Sequence, residues 1–195
     1  MKNMKIDRRK FLKNAGLGSV ALASLSSLGH ALAADKGSDN NTNWVVAAIE
    51  PGDTVNGIAY TMAFEGCGFV NPGTVVGQGS FVEFDNLSPV PHTILASGTW
   101  KATSLIHTDI IGTYGSLAAG IIEMEIKLVE DLPIPGVVVP GAILEIACNI
   151  PAAGLFTDEE EGFILTIPDS PSGTFMPPVI VGGTVFSILN EKRGG

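Results

Sequence analysis

The sequence has 195 residues, a formal net charge of −9 and only two cysteines. Hydrophobic residues make up 45 % of the chain and charged residues 16 %, a balance that excludes wholesale disorder. The cysteine count excludes a disulfide-dense scaffold. The acidic charge argues against nucleic acid and anionic membrane surfaces as partners. The length suits one domain that buries its own core.

Residues 1–33 carry the three parts of a secretory signal. A basic start ends at Lys13, a mildly apolar run covers Leu17–Leu28, and Ala31-Leu32-Ala33 supplies the small residues that precede a cleavage site. The basic start resembles the twin-arginine export motif, which it matches at Arg8, Arg9, Phe11, Leu12 and Lys13. The resemblance implies that the twin-arginine export machinery is a partner. It also implies that the mature protein is periplasmic or extracellular.

Residues 34–43 are polar and are predicted to form a disordered leader, followed by one β domain over residues 44–195. Glycine and proline interrupt this domain often, and short runs of Val, Ile, Phe and Thr lie between them. No apolar run is long enough to span a membrane. The chain after residue 43 is therefore expected to be built from short strands.

The clearest strand prediction is Ile121–Val129, where apolar residues alternate with Glu123, Glu125 and Lys127. Further strands are predicted over 45–49, 57–64, 81–85, 92–96, 142–148, 163–167, 179–181 and 185–189. Thr99–Ile111 lacks Gly and Pro and has apolar positions spaced by three to five, which leaves a short helix open. The predicted fold is an all-β, Greek-key β-sandwich of seven to nine strands, with a small closed β-barrel as the alternative.

Two segments resemble the copper-ligand segments of cupredoxins. His92 follows a strand and an Asn-containing turn, and Cys148 ends a strand before Asn149-Ile150-Pro151-Ala152-Ala153-Gly154-Leu155, which resembles the rusticyanin and sulfocyanin loop. The resemblance implies a cupredoxin-like sandwich in which His92 and Cys148 bind copper. The loop lacks the family's Gly-His step and has Leu155 near the methionine position. His107 is then the candidate second nitrogen ligand, and Met176 or an acid in Asp158–Glu161 the candidate fourth ligand.

Other interpretations of these residues stay open. Cys67 and Cys148 are either paired in a disulfide, which would exclude a copper thiolate, or free. Asp158–Glu161 is either a solvated loop or a site for a hard cation such as calcium. Two histidines remain after the signal, and no motif selects a catalytic residue.

Three functions follow from these alternatives. The first is an exported cupredoxin-like protein that binds copper or transfers electrons to a redox or protein partner, with an altered or lost site. The second is a metal-free binding or structural module on the same sandwich. The third is a small exported β-barrel enzyme of the cyclase kind that acts on an apolar ligand.

Overall fold

The prediction of an all-β fold is confirmed. The structure, a computed structural model, describes residues 41–188, so the export signal, most of the leader and residues 189–195 lie outside the described residues. Nine antiparallel strands form one sheet. They are β1 (Thr42–Val55), β2 (Ile58–Asn71), β3 (Thr74–Asp85), β4 (Thr93–Tyr114), β5 (Leu117–Leu132), β6 (Val138–Cys148), β7 (Gly162–Thr166), β8 (Thr174–Phe175) and β9 (Val181–Ile188).

The strand pairing forms a closed circuit. Each strand from β1 to β8 pairs with the next strand along the chain, including β4 with β5, and β9 pairs with both β1 and β5. The hydrogen-bonded path β5–β4–β3–β2–β1–β9 therefore returns to β5. The buried apolar side chains of these strands form one core cluster.

Alternation of apolar and polar residues explains why β5 forms where the sequence predicts it. Ile122, Met124, Ile126 and Leu128 are all buried, while the residues between them lie on the other face. Burying one such side chain rather than leaving it exposed contributes about 1.5–3 kcal/mol. One buried face of this kind specifies which residues of β5 point into the core where it pairs with β4, β6 and β9.

The expectation of a helix over Thr99–Ile111 is wrong, because the whole segment lies within β4. The pairing of β4 with β5 shifts register at Ala102/Ser104, Leu105/His107 and Ile110/Gly112. Each shift adds a residue to one strand and moves the following side chains to the other face. Bulges therefore produced the loose apolar spacing that suggested a helix.

Smaller differences lie at element ends. β1 begins at Thr42, inside the predicted leader, and the predicted strand 179–181 contributes only Val181, the first residue of β9. The helical element described within residues 41–188 is a 3-10 turn at Pro151–Ala153. No helix in this part of the chain is long and apolar enough to cross a membrane.

The antiparallel order brings four connections to one end of the sheet, which we call the cavity end. They are the turn between β1 and β2, residues 86–92 between β3 and β4, residues 133–137 between β5 and β6, and residues 167–173 between β7 and β8. The turns between β2 and β3 and between β4 and β5 lie at the opposite end. This arrangement places the candidate functional site at the cavity end.

Candidate functional site

A row of paired residues crosses the interior near the cavity end. Glu50 of β1 pairs with Met62 of β2, Met62 pairs with Glu83 of β3, and Glu83 pairs with Ala96 of β4. Residues directly opposite each other on antiparallel strands point to the same face of the sheet. Because Met62 is fully buried, the two glutamates in this row point inward rather than to solvent.

A third glutamate points inward on the neighbouring strands. Glu130 of β5 pairs with Gly98 of β4, and Gly98 pairs with Phe81 of β3. Phe81 is 4 % exposed, so Glu130 lies on the interior face next to a buried aromatic ring. The interior near the cavity end thus carries carboxyl groups at positions where an apolar side chain would otherwise complete the core.

A cavity of about 220 Å³ opens between these strands and the connection from β7 to β8. Its apolar wall comes from the core and its polar wall from three carboxyl groups and one hydroxyl group. The residues that line it are Phe81, Ala96, Leu128, Val139, Ile167, Pro168, Glu83, Glu130, Asp169 and Ser170. A concave apolar surface with a few polar groups in it is the usual form of a small-molecule site.

Glu83 brings a buried carboxyl oxygen to the lining of the cavity. Its Oε1 atom is buried and has no hydrogen-bond partner. Burial raises the pKa of Glu83, a hydrogen bond from Ser172 lowers it, and the charge of Glu130 raises it further. A buried acceptor with no partner costs free energy, so this oxygen is a natural point of attachment for a donor on a ligand.

The connection between β7 and β8 closes one side of the cavity and is held by short polar contacts. Ser172 is fully buried and its hydroxyl group lies 2.6 Å from that of Ser170. The Ser172 carbonyl accepts a hydrogen bond from the amide of Asp53 at 3.2 Å. Asp169 adopts a left-handed conformation with φ of 57°, a cost that this ordered turn must offset.

Glu50 lies in the same row, but its carboxyl group contacts β7 and does not line the cavity. Its Oε1 atom accepts a hydrogen bond from the amide of Phe163 at 2.8 Å, while Oε2 is buried without a partner. Burial raises the pKa of Glu50 to about 8, against a smaller lowering by the Phe163 amide. A Cβ on Gly162 would collide with Glu50 Oε1, so glycine is required where the carboxyl group meets β7.

The predicted copper ligands lie far apart. His92 lies at the cavity end, where its ring stacks on Phe84 at 5.5 Å and its Nδ1 atom is 3.0 Å from the Ser88 carbonyl oxygen. Cys148 is buried at the opposite end, at the last position of β6, with Sγ 3.7 Å from the Thr184 carbonyl oxygen. These two side chains cannot reach one ion in this arrangement.

His107 does not complete the predicted copper site either. It pairs with Glu123, which pairs with Glu145, and this row lies on the outer face, whereas Cys148 belongs to the core cluster. Met176 is 48 % exposed in the connection between β8 and β9. The donor set that a blue-copper ion requires is therefore not assembled, and copper binding stays a prediction from the sequence.

The remaining predicted sites have simple surroundings. Cys67 is half-buried on β2 and Cys148 is buried, and both are free thiols. Burial raises the pKa of both thiols. In the Asp158–Glu161 run, the Glu159 carbonyl accepts hydrogen bonds from Asn149 and Thr157. Within residues 41–188, no group of three or more His, Cys, Asp or Glu side chains is arranged to hold a metal ion.

The sequence analysis did not identify Glu50 or Glu83, because an acid in a strand usually faces water. β1 carries the signal that could have found Glu50, since Trp44, Val46, Ala48 and Glu50 share one phase of the alternation. In β3, Phe81 and Glu83 share a phase and Phe84 lies in the other. Each set of alternating positions in β3 contains an apolar residue, so the sequence could have indicated that Glu83 faces inward.

No protein-family model, characterised protein or solved structure matches this chain.

Proposed function

We propose that this chain is an exported binding protein that holds a small organic molecule in the cavity between β3, β4, β5 and the connection from β7 to β8. One observation carries the proposal. The inward wall of the sheet has a cavity of about 220 Å³ with an apolar floor and, in Glu83, a buried carboxyl oxygen without a partner. The cavity opens to solvent beside the connection from β7 to β8, so a ligand can enter it from the surface.

In this proposal the apolar floor and the polar wall of the cavity contact different parts of the ligand. Phe81, Ala96 and Leu128 belong to the packed core, so they form a rigid apolar surface on which a ligand can bury hydrocarbon. Glu83, Glu130 and Ser170 then orient the ligand through its polar group. A few polar groups on an apolar surface provide orientation and specificity, whereas the apolar contact provides most of the affinity.

The test uses three probes of the same size and different charge: cyclohexylmethylammonium, cyclohexylmethanol and cyclohexanecarboxylate. Each is titrated into the protein, and backbone amide shifts are followed by NMR. Binding of at least one probe is expected to shift the amides of Ala96, Leu128 and Val139. If no probe moves these amides at millimolar concentration, the proposed function is contradicted.

A blocking variant locates the binding. Ala96→Leu adds three heavy atoms to the floor and is expected to weaken binding of the responding probe at least tenfold. The control is Val76→Leu, which enlarges a side chain that is 50 % exposed and should leave binding unchanged. Circular dichroism of both variants confirms that the fold is kept, and unchanged binding by a folded Ala96→Leu protein would place the ligand elsewhere.

The export part of the proposal has its own experiment. Replacing both arginines of the motif, Arg8→Lys and Arg9→Lys, is expected to keep the uncleaved precursor inside a bacterial host that has twin-arginine export. A signal of this kind is an address read by a receptor, so charge alone does not replace the arginine pair. Release of mature protein from the double variant at the normal rate would contradict this route.

A further inference from the structure

We propose that the cavity ligand carries an organic ammonium group that pairs with Glu83 and an apolar body that lies on the floor formed by Phe81, Ala96 and Leu128. The inference rests on the proposed function and names the chemical class of its ligand. It is carried by the juxtaposition of a buried carboxyl oxygen without a partner and an apolar floor in one cavity.

The sign of the charge comes from the groups around the cavity. Glu83, Glu130 and Asp169 line it, and no basic side chain does. Within residues 41–188 the basic residues are Lys101, Lys127, His92 and His107, and none of them lines the cavity. The two lysines are exposed and directly opposite each other on β4 and β5. A carboxylate that is removed from water is stabilised by a paired cation, and the described residues supply none here.

The number of donors also fits an ammonium group. Ser172 lowers the pKa of Glu83 through a side-chain hydrogen bond, against the larger effect of burial, while Oε1 has no partner. An alkylammonium group has up to three N–H donors and no acceptor. One donor can reach Glu83 Oε1, and the others are left for Glu130, Asp169 or the Ser170 hydroxyl group, so the group can be satisfied without exposing a lone pair to a carboxylate.

The floor favours a cation that carries hydrocarbon over a bare inorganic ion. Magnesium keeps several of its waters and calcium requires six or more oxygen ligands. Half of this cavity offers only carbon surface, from residues such as Phe81, Leu128 and Val139. An amine with a ring-sized apolar body buries that surface and places its charge at Glu83, which a hydrated ion does not do.

The test compares the three probes and isolates one carboxyl group. We expect cyclohexylmethylammonium to bind at least tenfold more tightly than cyclohexylmethanol, and cyclohexanecarboxylate to bind most weakly. Glu83→Gln keeps the shape of the side chain and removes its charge. It is expected to reduce binding of the ammonium probe at least tenfold while the dissociation constant of cyclohexylmethanol changes less than twofold.

The control for overall charge is Glu160→Gln, an exposed residue outside the cavity, which should change neither constant by more than twofold. If cyclohexylmethanol binds at Ala96 and Leu128 as tightly as the ammonium probe, the ligand class is wrong and the binding function stands. The same conclusion follows if Glu83→Gln, shown to be folded by its amide spectrum, keeps the preference for the ammonium probe. If none of the three probes binds the wild-type protein, the proposed function fails as well.

Discussion

The two halves of the interior are built in opposite ways. Deep in the sheet, an aromatic cluster of Trp44, Phe64, Trp100 and Phe163 is packed ring on ring, with Phe64 centred 5.0 Å from both Trp100 and Phe163. Near the cavity end, inward positions carry Glu50, Glu83 and Glu130 and leave a cavity. The aromatic cluster provides close packing that stabilises the fold. The cavity end is less closely packed and has carboxyl groups in its interior.

Glycine explains how the aromatic half is filled so completely. Side chains at Gly66 and Gly79 would overlap the Trp100 ring, and side chains at Gly68 and Gly77 would overlap the Trp44 ring. The Trp100 Nε1 atom donates to the Glu65 carbonyl at 2.9 Å. The rings therefore lie directly against the backbone of β2 and β3. At the cavity end, by contrast, the inward positions of β1, β3 and β5 carry glutamate.

The largest expected effect is the removal of a ring from the aromatic cluster. Phe64→Ala leaves a hole between Trp100 and Phe163 and should lower the free energy of unfolding by about 3–5 kcal/mol. The matched control is Phe156→Ala, since Phe156 is 62 % exposed and should change stability by about 0.5 kcal/mol or less. Urea unfolding measures both. Equal losses from the two variants would show that the cluster is not the stabilising half.

The next effect is the pH dependence that Glu50 imposes on the carboxylate half. The folded protein holds the Glu50 proton up to a pKa of about 8, whereas its ordinary value is 4.5. Above pH 4.5 the unfolded chain releases a proton that the folded protein keeps, so stability falls as the pH rises from 4.5 towards 8. The slope from this one group approaches about 1.4 kcal/mol per pH unit.

Glu50→Gln removes this contribution and keeps an acceptor for the Phe163 amide. Urea unfolding at pH 5, 6.5 and 8 should therefore show the variant gaining stability relative to wild type as the pH increases. Glu160→Gln, an exposed acid, should follow the wild-type curve. A constant difference between Glu50→Gln and wild type across the three pH values would mean that Glu50 titrates normally.

A third prediction adds one carbon at each of two glycines that lie away from the cavity end, Gly68 in the aromatic half and Gly112 near the turn between β4 and β5. At Gly68 a Cβ would collide with the Val76 carbonyl oxygen and the Trp44 ring, so Gly68→Ala should destabilise by about 1–3 kcal/mol. At Gly112 the nearest atoms belong to the flexible Leu155 side chain, and Gly112→Ala should cost less. Thermal unfolding measures the difference, and the reverse order would contradict the packing described for the aromatic half.

The smallest effect is expected where the cavity leaves room. Ala96→Leu fills part of the floor and should raise the free energy of unfolding by up to about 1 kcal/mol, even though it blocks ligand binding. A gain in stability from Ala96→Leu together with a loss from Gly68→Ala would show that the aromatic half is closely packed and the cavity end is not. A loss of more than 1 kcal/mol in urea unfolding would indicate that the floor is already packed.

The sequence predicted the fold class better than the site, for physical reasons. The strict alternation of Ile122, Met124, Ile126 and Leu128 identified β5, because one buried face imposes a period of two. Bulges hid most of β4, since each extra residue resets that period. Glu83 and Glu130 were not found because an acid in a strand usually faces water. Glu83 shares its phase with Phe81, and Glu130 shares the phase of Ile126 and Leu128, and the pairing across β3, β4 and β5 shows that both face inward.

The resemblance to copper-ligand segments was local and did not predict distance. His92 and Cys148 each lie in a segment of the expected kind, a turn before a strand and the end of a strand. The pairing order places those segments at opposite ends of the sheet. Local sequence cannot report which ends of which strands meet, because strand order is set by tertiary packing and not by the residues next to a ligand.

The measurement that tests the account most directly is the pKa of Glu83, followed by carboxyl carbon NMR with and without saturating cyclohexylmethylammonium. In the free protein the pKa should lie above the ordinary 4.5, because burial raises it. The bound ammonium group favours the charged carboxylate, so the pKa should fall by at least one unit. A bound probe that leaves the Glu83 pKa unchanged would contradict the pairing on which the ligand class depends.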